Sequence, residues 1–469
     1  MKKAVLINAA GKYLKILLSI VVSAILARIL SAEDYGIIAI ITVFSTFFTT
    51  LSDMGFGAAI IQNKDLNEDD IDNIYSFTVY MSVLFMIIFA ICSFPIALFY
   101  SDPVYIPLGI LLSVSLLFNA LNMIPNGILN REKKFVSIAV RTVAVYVGAA
   151  VITIVLALMG LRYYALVVQA ILTALFTFIW NFATTRPHFH VRFDINSIKK
   201  VINYSGYQFA FNMVNYFSRN LDSLLTGKFM GSAELGYYNK AYNLMLYPVN
   251  NLTGVISPVL HPILSDYQKQ IDIIYTKYMK IVRLLACFGL YVAPVCFLAA
   301  DEIITILYGS NWESSVICFQ LLAIAIIPQM INSSAGSIFQ AIGNTKLLFL
   351  NSCINTVITV AAICVGVFVG KSIQALSICV AVAYLFHFGT AFFMLIKMGF
   401  KYKMSSFAKE LLPELFMLVT MIAAVWLYPF QIDGMFLATV VKCLYLGVVF
   451  LVALFISREY KLFLSLVKR

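Results

Sequence analysis

Apolar residues occur along the whole chain in long runs that short polar segments separate. Runs of about 18 or more apolar residues are typical of helices that span a lipid bilayer, and fourteen such runs can be delimited. Spans 1 to 6 are residues 12–31, 36–61, 74–99, 105–128, 136–158 and 163–184, followed by a polar linker at 185–200. Spans 7 to 14 are residues 201–226, 236–260, 277–300, 315–341, 347–369, 373–396, 411–428 and 435–456. The pattern predicts an all-α integral membrane protein with about 14 transmembrane helices.

Composition supports this fold class. Of 469 residues, 62% are apolar and only 12% are charged, which leaves too few polar side chains for a surface that faces water. The connections between spans are at most about 20 residues long by the same delimitation, so no soluble catalytic or nucleic-acid-binding domain is expected.

The net charge of +11 is explained by orientation, because Lys and Arg concentrate in cytoplasmic loops. Alternate connections differ in this way. The basic set includes Lys2, Lys3, Arg131, Lys133, Lys134, Lys199, Lys200, Lys397, Lys401, Lys403, Arg458, Lys461, Lys468 and Arg469, and the other set contains Arg162, Lys228 and Lys371. Both termini are therefore predicted to be cytoplasmic, which requires an even number of spans, and the charge indicates no nucleic-acid partner.

Short segments recur at an offset of about 200 residues. Ser31-Ala32-Glu33 is echoed by Ser232-Ala233-Glu234, and Ile71 to Tyr75 by Ile271 to Tyr275. Six spans separate the copies, and an even number returns the chain to the same side of the membrane. The sequence predicts two parallel six-helix repeats with a substrate path between them. The predicted domains are an N-terminal lobe (1–200), a C-terminal lobe (201–400), and two extra helices with a cytoplasmic tail (401–469).

Several spans carry polar residues at helical spacing, which places them on one face. The longest stripe runs along span 7 and comprises Gln208, Asn212, Asn215, Arg219, Asp222 and Thr226; span 8 carries Asn239, Asn243, Asn250 and Ser257. Such stripes arise from hydrogen bonds between helices or from a hydrated cavity. The two charges in span 7 favour the cavity.

Charges inside a bilayer are costly and are functional candidates. The candidates are Arg28, Asp53, Arg141, Arg219, Asp222 and Lys442, with Lys228 and Lys240 near the ends of spans 7 and 8. Alternatives remain for each: Arg28, Lys228 and Lys240 can snorkel to the interface, Arg219 and Asp222 can neutralise each other, and Asp53 can serve as a helix-end partner. Arg141 and Lys442 have two explanations, an ion pair with another helix or contact with an anionic lipid group. The excess of cations favours an anionic ligand, and phosphate is the natural partner of Arg.

Nothing in the sequence indicates a metal or an organic cofactor. The eight cysteines have no CxxC spacing, and His188 and His190 lie in a basic loop without a complementary set of ligands. The acidic segment 62–73 has two explanations, a solvated loop, which we favour, or a docking site for a biosynthetic partner.

Longer segments resemble a known family. They are Asp53 to Gly57, Leu129 to Phe135, Asn220 to Ser265 (NLDSLLTGKFMGSAELGYYNKAYNLMLYPVNNLTGVISPVLHPILS), Leu307 to Trp312 and Gln340 to Asn344. Together they resemble the polysaccharide transporters of the multidrug/oligosaccharidyl-lipid/polysaccharide (MOP) exporter superfamily, the bacterial flippases of lipid-linked oligosaccharides.

The resemblance implies a V-shaped bundle, with spans 1–6 against 7–12, in the bacterial cytoplasmic membrane. Its central cavity would take the pyrophosphate-sugar head of an undecaprenyl-linked oligosaccharide, while the polyprenyl tail stays in lipid along spans 13 and 14. By position, the residues implied near the head group are Arg28, Arg219, Asp222 and Lys240, with Asn212, Asn215 and Asn243 in the same cavity. Arg141, Lys442 and Asp53 are candidates for lipid phosphate or ion pairing. Polysaccharide polymerases and glycosyltransferases of the same pathway are candidate partners.

The function expected first is a flippase for surface polysaccharide synthesis, such as O-antigen, capsule, exopolysaccharide or teichuronic acid. The membrane potential or a Na⁺ or H⁺ gradient is the candidate energy source, because the chain has no Walker A pattern. A multidrug exporter would require deep unpaired carboxylates, and Asp53 and Asp222 are too few. A membrane polymerase or ligase would require a larger outer loop than 301–314, which has no His. The protein is therefore not expected to be an enzyme.

Overall fold

A computed structural model describes residues 2–53, 56–63, 65–194, 197–198, 206–268 and 270–467. The description excludes the side chains of residues 1–6, 8–9, 53, 58, 62, 206–215, 252, 254–259, 261–263 and 465–467. All regular secondary structure in these segments is helical, which confirms the predicted fold class. The chain divides into two compact units, Met1–Gly236 and Tyr237–Arg469.

The described part of the first unit contains nine helices and the start of a tenth. They are α1 (Lys2–Ile29), α2 (Ala32–Asp53), α3 (Phe56–Gln62), α4 (Glu68–Tyr100), α5 (Tyr105–Leu121), α6 (Met123–Arg131), α7 (Phe135–Leu158), α8 (Tyr163–Thr185), α9 (Gly206–Phe229) and α10 (Ser232–Ser265). Helix α4 packs against α5 and α1 against α7, while α2 contacts both α5 and α9.

The second unit contains the rest of α10 and eleven further described helices. They are α11 (Ile271–Leu298), α12 (Ala300–Tyr308), α13 (Glu313–Ala323), α14 (Ile326–Asn332), α15 (Ala335–Ala341), α16 (Thr345–Cys364), α17 (Ile373–Phe393), α18 (Met404–Glu410), α19 (Leu412–Trp426), α20 (Met435–Ile456) and α21 (Tyr460–Val467). Short π-helical segments extend α16 to Gly370 and α17 to Gly399. Helix α11 is central, since it packs against α14, α19 and α20.

Helix starts follow the local sequence. Asn67 caps α4 in a reciprocal arrangement with Asp70, and Ser31 and Asp34 form the same pair before α2, because the Ser31 Oγ accepts from the Asp34 amide and the Asp34 carboxylate accepts from the Ser31 amide. Each pair satisfies backbone N–H groups that the first helical turn leaves without partners.

Among the described residues, ten helices are long and apolar enough to cross a membrane, or eleven if the bent pair Ser310–Ala323 and Ile326–Ala341 forms one span. The structure therefore confirms many membrane-spanning helices, but it does not confirm the predicted number of about 14. Predicted spans 7 and 8 correspond to α9 and α10, whose many polar residues lower their hydropathy. Predicted span 13 corresponds to α19, which has only 15 residues, or about 22 Å of helix.

Two details of the predicted layout are wrong. Span 10 is not one helix but three, α13 to α15, with a bend of 51° at the first break. Residues 301–314 are not a loop, since most of them form α12, where Ile304 and Tyr308 are buried.

The repeated segments begin corresponding helices. Ser31 directly precedes α2 and Ser232 starts α10, while Ile71 and Ile271 lie in the first turns of α4 and α11. Both latter helices contain a proline near the other end, Pro95 and Pro294. Spans 4 and 10 are also both interrupted. These parallels agree with an internal repeat.

The acidic segment 62–73 is not simply a solvated loop, because it includes the start of α4 and binds the linker after α8. The Asp72 carboxylate accepts from the amide of His188 at 2.9 Å. The Asp70 carboxylate accepts from the Ser197 hydroxyl at 2.7 Å. These acids hold the chain's own linker against α4.

Candidate functional site

Helix α9, which carries the longest polar stripe, is fixed against α2 and α4 by hydrogen bonds to backbone carbonyls. The Tyr216 hydroxyl donates to Val43 O at 2.5 Å, and the Tyr100 hydroxyl donates to Leu224 O at 3.1 Å. The Lys228 ammonium donates to Phe99 O and lies 5.1 Å from the Phe99 ring centroid. Lys228 is thus held at the end of α9 by a protein carbonyl and an aromatic ring.

The two charged residues of the stripe differ in exposure. The Arg219 side chain is exposed, whereas Asp222, one turn later, is 5% exposed. The Asp222 carboxylate accepts from the Ser223 amide at 2.7 Å. Of these two charged residues, Arg219 is therefore the one whose side chain is accessible. The side chains of Asn212 and Asn215 lie outside the described residues.

The remaining candidates of the first unit occupy helix ends. Arg28 lies in the last turn of α1 and is exposed. Asp53 is the last residue of α2, and its side chain lies outside the described part of the chain.

Two glycines permit a close approach between the first turns of α2 and α10. A Cβ on Gly36 would overlap the carbonyl oxygen of Ser232, and a Cβ on Gly236 would overlap that of Ala32. The contact is reciprocal, because Gly36 and Gly236 lie 200 residues apart, as do Ala32 and Ser232, close to the offset of the repeat. Only glycine at both positions allows the two backbones to touch in this way.

The same end of α2 carries an ion-pair cluster. Arg162, between α7 and α8, lies 2.9 Å from the Asp34 carboxylate and 3.3 Å from that of Glu33. Both acids are in the first turn of α2, where negative charge also interacts favourably with the helix dipole. This network and the glycine contact hold one end of the α2 helix in place.

In the second unit, Lys240 is buried at 8% exposure on α10. Its ammonium lies 4.7 Å from the Tyr308 ring centroid and 5.6 Å from that of Trp312. Cation–π attraction of this kind stabilises a desolvated ammonium. Lys240 therefore packs against aromatic rings, while Asn243, one turn later, is exposed and bonds to Asn239 within the helix.

Arg141 lies in a buried amide network of the first unit. Its guanidinium donates to the side-chain oxygens of Asn181 and, at 3.3 Å, of Asn126. The Asn181 amide in turn donates to the Asn122 side chain at 2.7 Å. The partners of Arg141 are therefore neutral amides on α6 and α8, which neither of the two sequence-based explanations included.

Lys442 on α20 meets an acid from another helix. Its ammonium pairs with the Glu302 carboxylate on α12 and donates to Leu298 O at 3.0 Å. Of the two alternatives for Lys442, the structure shows the ion pair between helices.

An ionic cluster in the described part of the chain was not predicted from the sequence. Arg283 on α11 pairs with Glu414 on α19, at 3.0 Å, and with Glu459 in the turn before α21. Arg283 lies inside predicted span 9, so its charge within an apolar run was the available signal. Its partners are more than 130 residues away, so no local pattern could identify them.

The spacing of the side chains in this cluster is similar to that of a metal site. One oxygen of each glutamate and the Cys287 Sγ lie within 4.8 Å of one another. The Arg283 guanidinium, however, binds both carboxylates, and its positive charge opposes a metal cation. We therefore do not interpret these residues as metal ligands.

Comparison with known proteins identifies the family. The family model described as "Polysaccharide biosynthesis protein" matches residues 25–317, more than half of the chain. The chain belongs to this family. The resemblance inferred from the sequence segments is thereby confirmed.

Curated members similar to this chain come from several bacteria. The teichuronic acid biosynthesis protein TuaB of Bacillus subtilis (strain 168) is 24% identical, over 71% of this chain and 69% of its own length. The lipopolysaccharide biosynthesis protein WzxC of Escherichia coli (strain K12) is 23% identical, over 74% and 71%. The succinoglycan biosynthesis transport protein ExoT of Rhizobium meliloti (strain 1021) is 22% identical, over 76% and 73%.

Solved structures establish the fold across almost the whole chain. The lipid II flippase MurJ in an inward closed conformation superposes with a TM-score of 0.76, at 15% identity, over 97% of this chain and 99% of that one. An inward-facing multidrug resistance transporter of the MATE family in the MOP superfamily gives 0.65, at 14% identity, over 84% and 96%. This family member is thus a multi-pass membrane protein with the fold of the MOP superfamily.

Proposed function

We propose that this protein is a flippase that moves an undecaprenyl-pyrophosphate-linked oligosaccharide across the cytoplasmic membrane for surface polysaccharide synthesis. The observation that carries the proposal is membership of the polysaccharide biosynthesis family, since relatives similar along most of their length are named for polysaccharide synthesis or transport. The MurJ-like fold over 97% of the chain agrees with it. The name of ExoT, a transport protein, supports transport rather than catalysis.

The proposed architecture has fourteen membrane helices in two six-helix repeats, 1–200 and 201–400, followed by two helices in 401–469. Helices α9 and α10 have 24 and 34 residues, about 36 and 51 Å, so both exceed the roughly 30 Å of a hydrocarbon core. Their polar stripes are then the faces that line a hydrated path. Both termini are cytoplasmic in this arrangement, as the distribution of Lys and Arg favours.

The proposed path moves the head group by alternating access. A pyrophosphate with attached sugars cannot cross hydrocarbon unaided, so cationic and amide groups must replace its water. Arg219 is the proposed phosphate contact, because it is exposed on the polar face of α9 and Arg binds phosphate in a bidentate manner. Arg28, Asp222, Asn212, Asn215 and Asn243 are proposed to contribute to the same path.

The reciprocal glycine contact is the proposed closure on the extracytoplasmic side. By the predicted orientation, the first turns of α2 and α10 lie at that side, and they touch through Gly36 and Gly236. Opening toward the outside requires these turns to separate. The gradient that drives the cycle is proposed to be the membrane potential or Na⁺ or H⁺, and enzymes of the same pathway are the proposed protein partners.

The proposal is tested with liposomes that contain the purified protein and a fluorescent undecaprenyl-pyrophosphate oligosaccharide. We expect Arg219→Ala to slow translocation by at least tenfold, because a desolvated phosphate loses a charge-assisted partner worth about 1.5–3 kcal/mol. Arg192→Ala, which removes an exposed linker arginine, is the matched control and should translocate at the wild-type rate. Equal rates for all three proteins would remove Arg219 from the path.

A further inference from the structure

The cluster formed by Arg283, Glu414 and Glu459 has an unbalanced charge. Glu414 and Glu459 are 5% and 1% exposed, and Arg283 binds one oxygen of each. Two carboxylates and one guanidinium leave one net negative charge. An uncompensated charge in a buried, apolar region is strongly unfavourable, so the cluster requires one further positive charge.

The second oxygens of the two carboxylates show where that charge is needed. The Oε2 atoms of Glu414 and Glu459 are both inaccessible to solvent and have no hydrogen-bond partner. They belong to groups whose ligand atoms, with Cys287 Sγ, lie within 4.8 Å of one another. Two buried carboxylates with oxygens this close repel each other when both are ionised, and a proton on either one turns it into a donor.

Among the described residues, Arg283 is the only cation that pairs with either glutamate, and Lys280 on α11 and Lys409 on α18 are exposed. Helix α11 contributes Arg283 and the Cys287 thiol, α19 contributes Glu414, and the turn before α21 contributes Glu459. Helix α14, which also packs on α11, has no ionisable residue in its sequence, and Lys442 on α20 is paired with Glu302. Arg458 and Lys461 beside Glu459 are both exposed.

We propose that Glu414 and Glu459 together bind one proton, making this cluster a proton-binding site that controls the attachment of α19 and the turn before α21 to α11. The proton neutralises the pair and leaves the remaining carboxylate to Arg283. The attachment is strongest over the pH range in which the pair holds one proton, because one carboxyl group is then neutral and the other still pairs with Arg283. It weakens as pH rises and the proton leaves.

The proton is detected by infrared spectroscopy of the full-length protein in detergent or liposomes, through the C=O stretching band of a protonated carboxyl group. Glu414→Gln and Glu459→Gln should each reduce this band at neutral pH by the absorbance of one carboxyl group. The remaining glutamate then pairs one-to-one with Arg283 and is ionised. Arg283→Gln should increase the band by the absorbance of one carboxyl group, since both acids must then be neutral. Glu410→Gln is the matched control: this half-buried glutamate accepts from Tyr275 outside the cluster, and its substitution should leave the band unchanged.

Hydrogen exchange provides a second readout. The protection of the α19 backbone amides is first corrected for the intrinsic pH dependence of exchange. In the wild type this corrected protection should fall as pH rises and the proton leaves. In Glu459→Gln it should show no such transition. The proposal is overturned if the wild type lacks the band, or if either glutamine variant keeps it in full. These measurements need no transport, so their outcome is independent of the proposed flippase activity.

Discussion

Two arginines show how the chain holds a guanidinium within an apolar helix. Arg141 donates to the amide oxygens of Asn126 and Asn181, whereas Arg283 binds two carboxylates. Arg141 is buried and Arg283 is partly buried, and both need such acceptors because an unpaired charge is unfavourable in a low-dielectric environment. Neither partner set could be predicted from sequence, because Asn181 lies 40 residues from Arg141 and Glu459 lies 176 residues from Arg283.

Replacing Arg141 should destabilise the first unit. Arg141→Ala leaves the buried Asn181 amide oxygen without its donor, which costs about 1–3 kcal/mol for each unsatisfied acceptor. We expect a clear decrease in the Tm of the purified protein. Lys134→Ala, which removes an exposed partner of Glu132, should leave Tm within error. An Arg141→Ala protein as stable as the wild type would show that the amide network contributes nothing.

At the scale of helices, uniform apolar runs were located best. Predicted span 14, residues 435–456, coincides with α20 (Met435–Ile456), whose run ends at Gly434 and Ser457. Span 10 was predicted as one helix because its apolar pattern continues through the breaks around Ile324 and Ser333. Hydropathy also favoured a loop at 301–314, because the short amphipathic helix α12 carries acids in its first turn. Composition alone therefore locates apolar segments better than it locates their breaks.

The close contact between α2 and α10 gives a prediction about helix packing. Gly36→Ala or Gly236→Ala places a Cβ against a backbone carbonyl that cannot move away like a flexible side chain. Each substitution should therefore separate the two helix starts, which a spin-label distance measurement between α2 and α10 would record. It should also lower Tm, although alanine favours helices over glycine by about 1 kcal/mol.

Gly148→Ala is the control for this prediction. Gly148 lies within α7 with no atom within 4 Å of an added Cβ, so alanine there should be neutral or slightly stabilising. If all three variants keep the wild-type distance and stability, the glycine contact does not hold α2 and α10 together.

At the scale of the whole chain, residue patterns were enough to recognise the family, because the similar segments extend from Asp53 to Asn344 in order. The helical membrane fold could also be predicted, from hydropathy, because the bilayer imposes long apolar helices on any such chain. The position of each candidate site residue did not follow. Exposed Arg219 and buried Lys240 have similar sequence signals, yet Lys240 packs against Tyr308 and Trp312. Burial depends on residues that sequence spacing does not reveal.

The measurement that tests the central claim most directly compares two classes of substrate in the same proteoliposomes. One sample carries fluorescent undecaprenyl-pyrophosphate oligosaccharide in both leaflets, and an impermeant reagent measures the fraction that can be modified. The other sample carries a cationic dye and a Na⁺ or H⁺ gradient. A flippase should raise the accessible fraction of the glycolipid well above the roughly one half set by two equal leaflets, without moving the dye. Accessibility that stays at the leaflet value across several glycans, together with gradient-driven dye export, would contradict the account and favour a drug exporter.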